Sequence, residues 1–184
     1  MLSLYNFFKF SIMYFSLLQS SSTISARITT PTETVQSIIL GQPYFIEQHR
    51  SKEDKVQLLD EALRLQDGNA IILVLLFLKR TLKPALFNQE LLLKPRAASH
   101  YLSYLRTVKD NVELMNTLAM LGMTEDAAMY KYRLISESSD AKSRARGLES
   151  CLQSHLQSEP SLALQTEFIK EQKKLLEIQD PIEV

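Results

Sequence analysis

An all-α fold, with antiparallel helix pairs stacked as a degenerate α-solenoid, is what this sequence predicts. Three observations carry the prediction. From Thr30 onward, helix-start and helix-stop residues recur at short intervals. Four glycines, no tryptophan and a leucine-rich composition supply too few turn residues and β-branched runs for a sandwich or barrel. The apolar residues follow helical spacing and are separated by short connections, which make successive helices antiparallel neighbours. The periods are too irregular for the tetratricopeptide or ankyrin signatures, hence a degenerate array of roughly eight or nine helices.

The first stretch, MLSLYNFFKFSIMYFSLLQSSSTIS, is apolar and aromatic, then serine-rich. A signal peptide places its positive charge ahead of the apolar run, whereas Lys9 interrupts this one. A charge near the middle of a spanning helix costs about 3 kcal/mol. Residues 1–26 are therefore expected to be an atypical segment preceding a solenoid domain at 27–184. The alternative is a helical protein anchored to a membrane by that segment.

The helices then follow in order. Thr30-Pro31-Thr32-Glu33 combines an N-cap threonine, a proline at the first helical position and a glutamate three residues after the cap, with Gly41 closing the helix. Ser51-Lys52-Glu53-Asp54 opens the next, whose Val56, Leu59 and Leu63, flanked by Leu58, Ala62 and Leu65, form one apolar face. Asp60 and Arg64 stand opposite that face at i,i+4, and Gly68 is expected to end the helix. DGNAIILVLLFLKRTL comes next, with nine unbroken apolar residues from Ala70 to Leu78. These cover about 14 Å, less than half of a roughly 30 Å hydrocarbon core, so the stretch is too short to span a membrane. Being apolar all round, it should be enclosed by other helices. Lys79, Arg80 and Lys83 complement its terminal carbonyls, and Pro84 stops it.

Pro84 and Pro95 each fit a first helical position, giving PALFNQELLL and PRAASHYLSYLRTV. In the second, Ala98, Tyr101, Leu102, Leu105 and Val108 recur at helical spacing. Asp110 caps a helix with Val112, Met115, Leu118 and Ala119 expected inward and Gly122 as its stop. Thr124 starts another that runs to about Glu137, and Ser139 or Asp140 starts the one holding Cys151. Pro160 resets the chain for a last helix carrying Leu164, Phe168, Leu175 and Ile178.

Chemistry is not written into this pattern. Lys+Arg and Asp+Glu are 21 each, so no global field draws nucleic acid or an anionic membrane, and partners must be recognised by shape and local patches. One cysteine excludes an internal disulfide or a multi-thiolate metal site, and none of the five asparagines begins an N-x-[ST] sequon. Both absences suit the cytosol. His49, His100 and His155 are far apart and read as surface or boundary residues. Cys151, between Leu148 and Leu152, reads as a small buried hydrophobe. There is no phosphate-cradling glycine loop and no G-x-S-x-G. An enzyme, a cofactor and a metal are not expected. The basic clusters Lys79-Arg80-Lys83, Lys142-Arg144-Arg146 and Lys170-Lys173-Lys174 read as solvated faces. Met115, Met120, Met123 and Met129, near Tyr130 and Tyr132, suit either core packing or a protein-recognition surface.

Residues 55–82, KVQLLDEALRLQDGNAIILVLLFLKRTL, and the run ASHYLSYLRTVKDNVELMNTLAMLGMTEDAAMYKYRL resemble the C-terminal region of the vacuolar protein sorting subunit numbered sixteen. The likeness runs from about Thr34 to Val184, with D-G-N-A-I-x-x-V-L-x-F-L-K-R-T-L as its signature. The resemblance implies a cytoplasmic α-solenoid adaptor, not an enzyme. It would bind an SM-family (syntaxin-regulating) vacuolar sorting protein, work with Rab-linked endosomal machinery, and reach early, late and recycling endosomes through its partners. Residues 1–26 match nothing in that family, and the long upstream region of a full-length member is missing, which implies a short isoform or fragment. The expected contact surface is the outer faces of the helices at 97–108 and 124–135, with Tyr101, Tyr104, Arg106, Met129, Lys131 and Tyr132 as its residues.

Overall fold

The structure is a computed structural model, and it describes residues 29–153 and 160–179. The segment 1–26 lies outside the described residues, and with it the anchor alternative; so does His155. Among the described residues are nine α-helices, two short 3-10 turns and no strand. The all-α fold is thus established, and helices pair in sequence order within each of two compact units, Met1–Lys109 and Asp110–Val184.

In the first unit, α1 (Pro31–Ile39) opens on the expected capping box. Glu33 N–H donates to the Thr30 hydroxyl at 3.2 Å, and Thr30 N–H donates to the Glu33 carboxylate at 2.9 Å. Its end is a Schellman turn: Gly41 takes φ 65°, its N–H reaches the Ile38 carbonyl, and Gln42 N–H reaches that of Ser37. A 3-10 turn, η1 (Ile46–Gln48), leads to α2 (Lys52–Leu65), capped by Ser51, with Leu58, Leu59 and Ala62 fully buried.

The stop of α2 differs from the expected one. Gln66 adopts the left-handed conformation at φ 58°, and Gly68 is instead the first residue of α3 (Gly68–Thr81). The reason is Asp67, whose carboxylate accepts the Ala70 N–H at 2.7 Å and so caps α3, leaving the glycine at its first position. Asp60 and Arg64 face outward as expected, but each pairs elsewhere: Arg64 with Glu61 at 2.8 Å, Asp60 with Lys94 at 2.9 Å.

Two prolines at N1 start α4 (Pro84–Leu93) and α5 (Pro95–Val108). The apolar helix α3 packs against the four other described α-helices of its unit, as its all-round apolar pattern requires. Ala70, Ile71, Val74, Leu75 and Leu78 are wholly inaccessible, each full burial of a Leu-sized side chain stabilising by roughly 2 kcal/mol before entropy is set against it. Its basic end is a helix terminus with protein partners. Lys79 Nζ donates to the Tyr101 hydroxyl at 2.7 Å, Arg80 pairs with Glu47, and Lys55 Nζ donates to the Thr81 carbonyl at 3.3 Å while lying 5.7 Å from the Phe77 ring centre. In α5, Ala98, Tyr101, Leu102 and Leu105 are buried; Val108, at the exit, is exposed.

The second unit begins with α6 (Asn111–Met120), capped by Asp110, which accepts the Glu113 N–H at 3.1 Å. Its inner face is Leu114, Thr117 and Leu118, whereas Val112, expected inward, is 75% exposed, and Ala119 is also exposed. The phase is rotated because Thr117 can go inside: its hydroxyl donates to the Glu113 carbonyl at 2.7 Å and leaves no unmet polar group. Gly122, at φ 71°, closes the helix in a second Schellman turn.

The unit continues with α7 (Thr124–Ser136), α8 (Ala141–Cys151), a 3-10 turn η2 (Pro160–Leu162) and α9 (Ala163–Gln179). Asp140 caps α8 by accepting the Ser143 N–H at 2.7 Å. Helix α8 packs against both α7 and α9 around a core of Ala128, Leu148, Cys151, Leu152, Leu162 and Ile169. Gly147 permits the approach of α8 to α7: a Cβ there would meet Ile135 Cγ2 at 2.8 Å. On α9, Thr166 and Ile169 bury while Leu164, Phe168, Leu175 and Ile178 form an outer stripe.

Candidate functional site

The six residues expected at a contact surface fall in different environments. Tyr101 is core, not surface: it is 1% exposed, packs edge-on to Phe87 with ring centres 5.3 Å apart, and stacks on the half-buried Tyr104. Its burial follows from Lys79, which supplies the partner that a buried phenol needs. Arg106 is exposed near the end of α5. In the second unit Met129 is exposed, while its neighbours on α7 reach the adjoining helices: Lys131 Nζ donates to Ser150 on α8 at 3.4 Å at the surface, and Tyr132 donates to Gln172 on α9 at 2.9 Å. Tyr101, Tyr104 and Arg106 belong to the first unit and Met129, Lys131 and Tyr132 to the second.

His49, Cys151, Glu90 and Lys94 are held in structural roles. His49 is buried, contrary to its reading as a surface or boundary residue, because α1 and η1 supply its partners: Thr34 Oγ1 lies 2.9 Å from His49 Nε2, with Gln48 alongside. Burial pushes its pKa below the ordinary value, against the pull of Asp54. Cys151 is inaccessible, with Sγ 3.8 Å from the Ala128 carbonyl, and burial raises its thiol pKa, as expected for a small hydrophobe. The buried carboxylate of Glu90 is met by Lys94 at 3.1 Å, and Lys94 also holds Asp60; burial works against the Lys94 charge, but these two carboxylates outweigh it and raise its pKa. Among the described residues, no group of three or more His, Cys, Asp or Glu is placed to hold a metal ion, and no helix is long and apolar enough to cross a membrane.

Two grooves flank α8 in the second unit. One, about 350 Å3, lies toward the C-terminal half of α9 and contains Lys142, Arg146, Glu149 and Lys173. Its charges are largely settled among themselves: Lys173 pairs with Glu149 and Glu177, which raises the Lys173 pKa and lowers that of Glu149. The other groove, about 390 Å3, lies where α7, α8 and α9 converge, within the size range of small binding sites. Ile135, Leu148, Leu175 and Leu176 supply apolar walls, and Arg144 and Gln172 the polar groups. Tyr132 occupies the Gln172 carbonyl oxygen at 2.9 Å, and the Ser136 hydroxyl donates to the Tyr132 carbonyl at 2.9 Å. The Arg144 Nε is buried without a hydrogen-bond partner. Sequence reasoning grouped Arg144 with Lys142 and Arg146 as a solvated face. The groove depends on α9 packing against α8, which the short connections predict, but which side chains of α8 line it is set by tertiary packing.

The chain is 33% identical over 152 residues to the spermatogenesis-defective protein 39 homolog of Danio rerio, covering 82% of this chain and 32% of that relative. The Mus musculus protein of that name is 31% identical over 150 residues, 81% of this chain and 30% of the relative. The Bos taurus protein is 33% identical over 132 residues, 71% of this chain and 27% of the relative. The chain is therefore related to the spermatogenesis-defective protein 39 homologues over most of its length, and it spans about a third of the length of these curated relatives. No family model matches the chain, and no solved structure matches it.

Proposed function

We propose that this chain is a non-enzymatic helical adaptor in endosomal and lysosomal vesicle trafficking, and that it binds an SM-family vacuolar sorting protein through its helices. The observation that carries this reading is the likeness to the spermatogenesis-defective protein 39 homologues over 82% of the chain. It is joined to the resemblance of residues 55–82 to the vacuolar sorting sixteen C-terminal region. The adaptor character is supported by where the polar groups are spent: His49, Glu90, Lys94 and Cys151 serve packing and ion pairing. A helical array of this kind presents surface to a partner without needing a reactive centre. The chain would act in the cytoplasm, reaching early, late and recycling endosomes through its partners and with Rab-linked machinery.

Co-precipitation with the SM-family protein tests the reading. Capture by the full chain, or by a version lacking residues 1–26, is the expected result. Failure of both, with the helical circular-dichroism signal intact, would refute it. Within this reading, Arg106→Glu is expected to weaken capture, being an exposed charge on one expected face. Unchanged capture would remove that face from the contact surface.

A further inference from the structure

We propose that the groove between α7, α8 and α9 is a docking site for an acidic peptide segment of a protein partner, with Arg144 receiving a Glu or Asp carboxylate between aliphatic neighbours. This site stands apart from the trafficking reading and would hold whether or not the SM-family partner binds.

The ligand chemistry follows from what the groove lacks. Its walls are aliphatic, from Ile135, Leu148, Leu175 and Leu176. The Gln172 carbonyl oxygen is engaged by Tyr132, which leaves the amide nitrogen as that side chain's remaining hydrogen-bonding end. The Arg144 Nε is a buried donor without an acceptor. Both groups donate, so the missing occupant accepts, and a guanidinium is best met by a carboxylate. A buried donor left unmet is destabilising until an acceptor arrives, which makes the position one that a ligand completes. Charge agrees: among the described residues, Arg144 is the one charged residue lining this groove, while Lys142, Arg146 and Glu149 line the other. Glu149 is itself taken by Lys173 on the other groove.

A peptide fits better than a small carboxylic acid because the apolar surface continues past the groove. Leu175 is 62% exposed, and Phe168 and Ile178 extend the same stripe along α9. An occupant a few residues long covers both, with its carboxylate at Arg144 and an aliphatic residue over Leu175.

The test is an NMR titration of the full chain, observing the Arg Nε–Hε resonances, with Arg144 assigned by its loss in Arg144→Gln. The probe is the peptide acetyl-Leu-Glu-Leu-amide, and acetyl-Leu-Gln-Leu-amide is the control. The expected result is a saturable shift of the Arg144 resonance with the Glu peptide, at least tenfold weaker with the Gln peptide. Leu175→Ala, at an exposed position, should weaken binding severalfold while leaving the backbone spectrum in place. No saturable shift, equal binding of the two peptides, or binding retained in a folded Arg144→Gln would each overturn the proposal. So would an equal response to inorganic phosphate, which would mark a simple anion site.

Discussion

Gly147 and His49 are the residues at which this structure is most exposed to test. A glycine inside a helix ordinarily gains about 1 kcal/mol of stability on replacement by alanine. At Gly147 the new Cβ would lie 2.8 Å from Ile135 Cγ2 and 3.0 Å from Cγ1, on a β-branched side chain with little freedom to yield. Overpacking of this kind costs about 1–3 kcal/mol, so Gly147→Ala should lower stability on balance. Urea denaturation checks it, and adding Ile135→Ala should cost less in that background than alone. For His49 the sign follows from burial. Its folded pKa lies below the ordinary 6.5, so the unfolded chain binds the proton more readily as pH falls through that value. Stability should therefore decline on acidification from about pH 7 toward pH 5, and His49→Gln should flatten that part of the profile.

At the scale of the element, α3 organises the first unit. Leu75 is wholly inaccessible at its centre, and Leu75→Asp would bury a carboxylate with no cation in place to meet it. A loss on the order of 4 kcal/mol or more is expected, seen as collapse of the thermal transition; an unchanged melt would show that α3 is not core. Removing the cap by Asp67→Ala should cost about 1 kcal/mol, since one side-chain bond to Ala70 N–H is lost. Elements like these were legible because their signals are local: Thr30 with Glu33, Pro84, Pro95, Gly41 and Gly122 each act within a turn of where they stand. Errors came where a tertiary partner decides. His49 went inside because Thr34, in α1, meets its ring. Tyr101 read as a surface aromatic because Lys79, its hydroxyl partner, lies two helices back. The Gly68 stop was the exception, a competition between adjacent residues that the Asp67 cap won.

For the whole molecule, balanced charge has a consequence for the proposed adaptor role. With Lys+Arg and Asp+Glu equal at 21, association with the SM-family partner should not depend on long-range attraction. Raising salt from low to well above physiological strength should change the affinity by less than about threefold. A steep salt dependence would point to local charge clusters as the principal contact. The proposed interaction itself is tested most directly by mixing the purified chain with the purified SM-family vacuolar sorting protein at micromolar concentration and measuring size exclusion with light scattering. The expected result is a co-eluting complex whose mass exceeds that of either protein alone. Separate elution of two folded components would contradict it.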